Sequence, residues 1–252
     1  MDLEAAMRNR ELEVWYQPQV RLDNGALAGA EALVRWRRQG RVLPPSAFVP
    51  ALEADGRIVA LDEAVLGLVC ADLAKARQSG LSLGPVSVNL SRRQLGRTGA
   101  ADRLAEMVRR YGVPPQNLVF ELTESALCCD DRSLLEALPG RLRTLGFATS
   151  LDDFGMGFSS LKLLADHSFD ILKLDRYFVG RIGEPRAEAI LSAVMDLGRQ
   201  LGAGVIAEGV ETPEQAAFLR ARGCPAAQGY LFYKPMPRTE FFALAAEGGR
   251  SH

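Results

Sequence analysis

Short runs of β-branched and aliphatic residues recur along this chain, and six of them close on an oxygen-bearing side chain. These are Glu31 in AEALVRW, Asn89 in VSVNLS, Glu121 in LVFELTES, Asp152 and Asp153 in TSLDDFG, Glu208 in GVIAEGVE and Gln228 in AAQGYLF. The runs predict β segments near residues 14–20, 27–36, 85–91, 118–125, 147–153, 169–175, 204–210 and 226–232. Between them, apolar positions at helical spacing predict helices over 60–78, 101–112, 131–145, 185–202, 213–222 and 238–247, with a shorter one after Ser159. Strand–helix alternation over the whole length implies a parallel sheet, and about eight strands imply closure into an α/β, TIM-like (β/α)8 barrel. The Asn24-Gly25 pair joins the first two segments and is a hairpin signal. The first strand is therefore expected to run antiparallel to the others.

Helix ends are legible as well. Gly80, Gly112, Gly146 and Gly202 each follow a helical run, where a left-handed cap belongs. Thr212-Pro213 places an N-cap and an N1 proline ahead of Glu214 and Gln215. No linker, low-complexity tract or internal repeat interrupts the pattern, so residues 1–252 are expected to form one domain.

Side chains alternate faces along a strand, which sorts the polar positions. Val86, Val88 and Leu90 share one face against Ser87, Asn89 and Ser91. Leu172 and Leu174 oppose Lys173 and Asp175, while Glu31, Leu33 and Arg35 lie together against Ala30, Ala32 and Val34. The apolar faces suit the surrounding helices, so the polar faces are expected to point into the barrel. Asp152 and Asp153 are neighbours and should point apart. Both reach the mouth only if the strand ends there, which Phe154-Gly155 permits.

Gathering so many carboxylates in a buried place is costly without cations, because several would protonate. All-oxygen ligation favours Mg²⁺ or Mn²⁺, and two such ions polarise a phosphoryl group and activate water. Lys173 and Arg35 are placed to meet phosphate charge. With only His167 and His252, a histidine-rich zinc site is out of reach.

Composition narrows the rest. The 252 residues are 48% hydrophobic and 24% charged, with a formal net charge of −1. That balance gives no electrostatic case for gripping a DNA or RNA polymer or an anionic membrane. No apolar run approaches the ~20 residues of a membrane helix, and the charged N-terminus lacks the apolar core of a secretory signal. Cys70, Cys128, Cys129 and Cys224 show no metal-ligand spacing and are expected to be reduced cytoplasmic thiols.

In this order, WYQP (15–18), EALVRW (31–36), VNLS (88–91), FELTES (120–125), DDFG (152–155), KLD (173–175), AEGVET (207–212) and QGYLF (228–232) resemble the EAL-domain family of cyclic-di-GMP phosphodiesterases. Each motif is weak by itself, and eight in sequence are specific. The resemblance implies a barrel enzyme that opens cyclic-di-GMP to linear pGpG with two Mg²⁺ or Mn²⁺ ions. It implies that Glu31, Asn89, Glu121 and Asp152 bind one ion, and that Asp152 bridges to a second held with Asp153 and Glu208. Lys173 would orient or deprotonate the attacking water, or stabilise charge at the phosphate. Glu208 and Glu211 join Lys173 at the catalytic positions, while Gln17, Leu33, Arg35, Asn89, Lys173 and Gln228 match positions that contact the ligand. Glu124 resembles the acidic anchor of the loop after the fifth strand. That loop departs from the family at Met156, which stands where a threonine is common. The resemblance further implies a homodimer, and sensory or cyclase domains in a longer protein. The competing reading is a silent cyclic-di-GMP receptor that acts through a partner.

Overall fold

The computed structural model describes residues 2–123, 127, 132–155 and 160–248, with residues 132–137 and 160 described by their backbone alone. Eight strands close a barrel: β1 (Leu12–Arg21), β2 (Leu27–Arg38), β4 (Val86–Asn89), β5 (Leu118–Thr123), β6 (Ala148–Phe154), β7 (Ile171–Leu174), β8 (Gly204–Ala207) and β9 (Ala226–Ala227). The strands β2, β4, β5, β6, β7, β8 and β9 pair in parallel in that order. The barrel is closed by β1, antiparallel to both β2 and β9. The expected reversal of the first strand is present, and its turn carries Gly25 at φ 71°. Two short strands, β3 (Arg41–Leu43) and β10 (Met236–Pro237), extend the sheet beyond the ring by antiparallel pairing.

Helices Ile58–Gln78, Ala100–Arg110, Arg132–Thr144, Ser160–Asp166, Pro185–Leu201, Pro213–Ala221 and Arg238–Ala246 occupy the predicted intervals. All four glycines expected after helices have left-handed backbones, with φ between 66° and 88°. At Pro213 the N-cap is a full capping box, in which Thr212 and Gln215 satisfy each other's backbone N–H groups. The helix Val49–Asp55 and the turns around it were not expected from periodicity. They are positioned by Phe48, fully buried and edge-on to Trp36 with ring centroids 5.4 Å apart.

The last barrel strand is shorter than predicted. Its pairing stops at Ala227, and residues 229–232 form a turn closed by Phe232 and Tyr233 N–H donating to the Gly229 carbonyl. Gly229 lies so close to the Val210 backbone that a Cβ there has no room. Close crossing of two backbones, rather than a strand ladder, is what the glycine serves.

Helices pack on the outside through the apolar strand faces, as with Val86, Val88, Phe120 and Leu172, all fully buried. The C-terminal helix is latched to the barrel by buried Tyr16, Asp72 and Phe241 together with the exposed Arg238. Tyr16 donates its hydroxyl to Asp72 at 2.8 Å, Arg238 meets the same carboxylate at 3.0 Å, and Phe241 stacks on the Tyr16 ring at 4.9 Å. Among the described residues, no helix is long and apolar enough to cross a membrane.

Candidate active site

At the C-terminal ends of the parallel strands one lysine gathers four carboxylates. Lys173 on β7 is 1% exposed, and its Nζ lies 2.7 Å from Glu208, 2.9 Å from Glu121, 3.2 Å from Asp152 and 3.4 Å from Glu31. The acids come from β2, β5, β6 and the residue just after β8, so only closure of the barrel assembles them. Asp175, one side-chain step further along on the same strand face, takes another role. It caps the short helix Arg176–Val179 by accepting from the Tyr177 N–H at 2.7 Å.

Two amides complete the ring. Asn89 donates to Glu31 at 3.2 Å, and Gln228 Nε2 donates to Glu31 at 2.7 Å and to Glu208 at 3.0 Å. Gln19 on β1, which the motifs did not single out, is buried and donates to Gln228 Oε1 at 3.0 Å. Its parity with Gln17 put it on the same face of β1, a signal that marked the residue but not its partner.

Charge in this cluster is unbalanced: four carboxylates face one ammonium. Burial opposes the charge on Lys173, but the surrounding acids outweigh it and hold the ammonium well above the ordinary lysine range. Burial pushes Glu208 up to about 8 and Glu121 well above the usual carboxylate range, despite the nearby lysine. Glu31 is held low: burial works against it, while Lys173, Gln228 and Asn89 together favour its charge. Glu121 Oε1 is buried with no hydrogen-bond partner. An excess of three negative charges, two acids driven toward protonation and an orphaned carboxylate oxygen are what a hard divalent cation relieves. The acids converge on the lysine nitrogen, and among the described residues no three His, Cys, Asp or Glu side chains close on a separate point as a metal shell would. Donor type and charge thus fit Mg²⁺ or Mn²⁺, while the arrangement is drawn around the ammonium.

Asp152 and Asp153 correct one expectation. The strand does not end before Phe154; it continues through it, with a register shift between Leu151 and Phe154. Asp153 sits in the left-handed region at φ 55°, and its N–H donates to Asp152 Oδ1 at 3.0 Å. The bulge, not a strand end, breaks the alternation and places two successive acids at the mouth. Asp152 reaches Lys173, and burial together with Asp152 raises the Asp153 carboxyl above its ordinary value.

The remaining candidates lie around this centre. Gln17 pairs with Glu31 across β1 and β2 and donates to the Tyr233 carbonyl at 3.3 Å. Leu33 and Arg35 continue outward on the same face, with the Arg35 guanidinium 5.3 Å from the Trp15 ring centroid. Glu211 is exposed and its backbone N–H donates to Gln215 Oε1; its carboxylate is not drawn into the lysine cluster. Glu124 and Met156 lie outside the described residues, as do Cys128 and Cys129, whereas Cys70 and Cys224 are buried free thiols.

Beside the acids opens a cavity of about 570 Å³, lined in part by Leu33, Asn89, Asp62, Ile58, Val65 and Arg93. Asp62 is 7% exposed and accepts from the Ser91 N–H at 3.1 Å. Burial pushes its carboxyl up to about 7. The sequence offered a weak hint here, an acid among the apolar positions of the first helical turns.

The chain matches the EAL domain family over residues 1–235 and belongs to it. It is 38% identical to the cyclic di-GMP phosphodiesterase RocR of Pseudomonas aeruginosa over 242 residues, which are 95% of this chain and 61% of RocR. It is 40% identical to the cyclic di-GMP phosphodiesterase NbdA of the same organism over 239 residues, 94% of this chain and 30% of NbdA. Among solved structures, "PaMucR Phosphodiesterase, c-di-GMP complex" superposes with a TM-score of 0.87 at 36% identity, covering 95% of this chain and 97% of that one. The chain therefore spans less than two thirds of the length of RocR and NbdA, while the solved chain is matched over 97% of its length.

Proposed function

We propose that this chain is a metal-dependent phosphodiesterase that hydrolyses cyclic-di-GMP to linear pGpG. The observation that carries the reading is the buried ring of Glu31, Glu121, Asp152 and Glu208 around Lys173, with more negative charge than the lysine can neutralise. The relatives named as cyclic di-GMP phosphodiesterases and the c-di-GMP complex of the matching structure support the substrate.

Glu31, Asn89, Glu121 and Asp152 would hold one divalent ion, and Asp152, Asp153 and Glu208 a second. When bound, Mg²⁺ or Mn²⁺ supplies Lewis acidity toward a phosphoryl oxygen and lowers the pKa of water. Lys173, held protonated by its neighbours, donates hydrogen bonds and positive charge where charge develops at phosphorus. Glu208, within the cluster, would accept a proton from water, and Glu211, which lies outside the lysine cluster, would assist. The cavity beside the ring takes a purine: Leu33, Ile58 and Val65 offer apolar walls, and Asp62 offers an acceptor to base N–H groups. Gln17 and Arg35 border the ligand on the β1–β2 side. Residues 1–252 act as one domain of a longer cytoplasmic signalling protein carrying sensory or cyclase domains, and two copies pair as a homodimer.

The test is direct. Purified protein with Mg²⁺ or Mn²⁺ and cyclic-di-GMP, followed by chromatography, should yield pGpG. Tight nucleotide binding without product would overturn the enzyme reading in favour of a silent receptor.

A further inference from the structure

Gln19 faces the barrel interior from β1 and is 3% exposed. Its Nε2 donates to Gln228 Oε1 at 3.0 Å, and the opposite end of that same amide, Gln228 Nε2, donates to both Glu31 and Glu208. One NH₂ group thus fastens two carboxylates that arrive from different sides of the barrel, from β2 and from the residue after β8. An amide has a donor end and an acceptor end, so its orientation decides whether it attracts those acids or repels them. The Gln228 main chain is already fixed: its N–H donates to the Ala207 carbonyl at 2.8 Å and its carbonyl accepts from Val210 at 3.1 Å. What remains free is the side chain, and Gln19 satisfies its acceptor end.

The strand is shaped around this contact. Gln19 lies opposite Gly29 in the β1–β2 ladder, and the register shifts immediately after it. A Cβ on Gly29 would stand 3.2 Å from Gln19 Oε1 and 2.5 Å from the Pro85 carbonyl oxygen. The absence of a side chain at Gly29 leaves room for the Gln19 amide oxygen beside it and for the Pro85 carbonyl.

We propose that Gln19 is a positioning residue of the divalent-cation site. By donating to Gln228 it keeps the Gln228 NH₂ on Glu31 and Glu208, and so sets the spacing of two acids that belong to different ions. The inference rests on the metal roles assigned under Proposed function. Partners that orient metal-binding carboxylates typically change metal affinity by about 10–100-fold when removed.

The experiment is calorimetric titration of nucleotide-free protein with Mn²⁺, accompanied by hydrolysis measured across Mn²⁺ concentrations. Gln19→Leu should weaken Mn²⁺ binding about tenfold, with a much smaller loss of rate at saturating Mn²⁺. Gln19→Glu keeps the shape but presents an acceptor to Gln228. It should also weaken binding, although a purely electrostatic role predicts tighter binding from the added charge. In a Gln228→Ala background, Gln19→Leu should have no further effect on Mn²⁺ affinity. Unchanged affinity in Gln19→Leu, tighter binding in Gln19→Glu, or an undiminished effect without Gln228 would each overturn the proposal. If Gln19→Leu melts before titration, the Gln19→Glu arm decides. Wild-type protein that binds Mn²⁺ without hydrolysing cyclic-di-GMP would sink the enzyme reading and leave the calorimetric result standing. Wild-type protein that binds no Mn²⁺ would sink both.

Discussion

Replacing Lys173 with methionine removes the positive charge at the centre of the site and keeps most of the side-chain volume. Four carboxylates within 3.4 Å of the ammonium would then face one another in a buried space. Breaking one buried ion pair by deleting a partner costs about 3–5 kcal/mol, because the remaining charge is stranded. Part of that loss is avoided by protonation, since Glu208 is already raised to about 8 and would rise further. For a chain of this size each kcal/mol is worth roughly 2–4 °C, so metal-free Lys173→Met should melt about 6–20 °C below wild type at pH 8. The pH dependence has a definite sign. Carboxyls whose folded pKa lies above the unfolded value stabilise the fold at low pH, and that stability is lost as pH rises through the folded pKa. The deficit of the variant should therefore shrink between pH 8 and pH 5, and Mn²⁺ should raise its melting temperature more than it raises that of wild type. The assay is thermal unfolding of chelated and Mn²⁺-loaded protein across that range. A chelated variant melting within about 2 °C of wild type at pH 8 would mean that the acids do not depend on Lys173, and the charge argument would fail.

Three further outcomes are expected. Glu31→Ala should abolish pGpG formation, and retained turnover would remove Glu31 from the metal site. Asp62→Asn should stabilise the protein at pH 8 by up to about 4 kcal/mol, because burial lifts this carboxyl from 3.8 to about 7; the gain should vanish toward pH 4, and equal melting temperatures at pH 8 would refute the buried-acid reading. Gly229→Ala should drive a Cβ into the Val210 backbone, displace Gln228 and weaken both stability and Mn²⁺ binding; wild-type values in both measurements would show that the crossing of the two backbones is not tight.

Much of the architecture was written locally. Helix caps at Gly80, Gly112, Gly146 and Gly202 need a left-handed backbone that glycine supplies without strain, so each could be placed from its neighbours alone. Asn24-Gly25 turned the first strand back for the same reason. The short elements were harder. β3, β10 and the helix Val49–Asp55 have too few residues to show a period, and they exist because of what they pack or pair against. The eighth strand was overextended because the apolar Tyr-Leu-Phe after Gly229 reads as more strand, whereas the backbone turns over Val210.

For the site, the sequence by itself determined the donors and their order. Oxygen-bearing side chains end successive strands, Lys173 faces away from Leu172 and Leu174, and with only two histidines the candidate donors favour a hard cation over zinc. Period-two alternation carries that information because it depends only on neighbouring residues. Only the tertiary structure decided the spacing. Glu31 and Glu208 are far apart in the chain, and the closing of β1 on β2 and β9 brings both to one Gln228 amide. The left-handed Asp153 that aims two adjacent acids at the mouth depends on how β6 pairs with β7. Gln19 belongs with it: its partner lies on another strand, and long-range contacts of that kind leave no periodic trace.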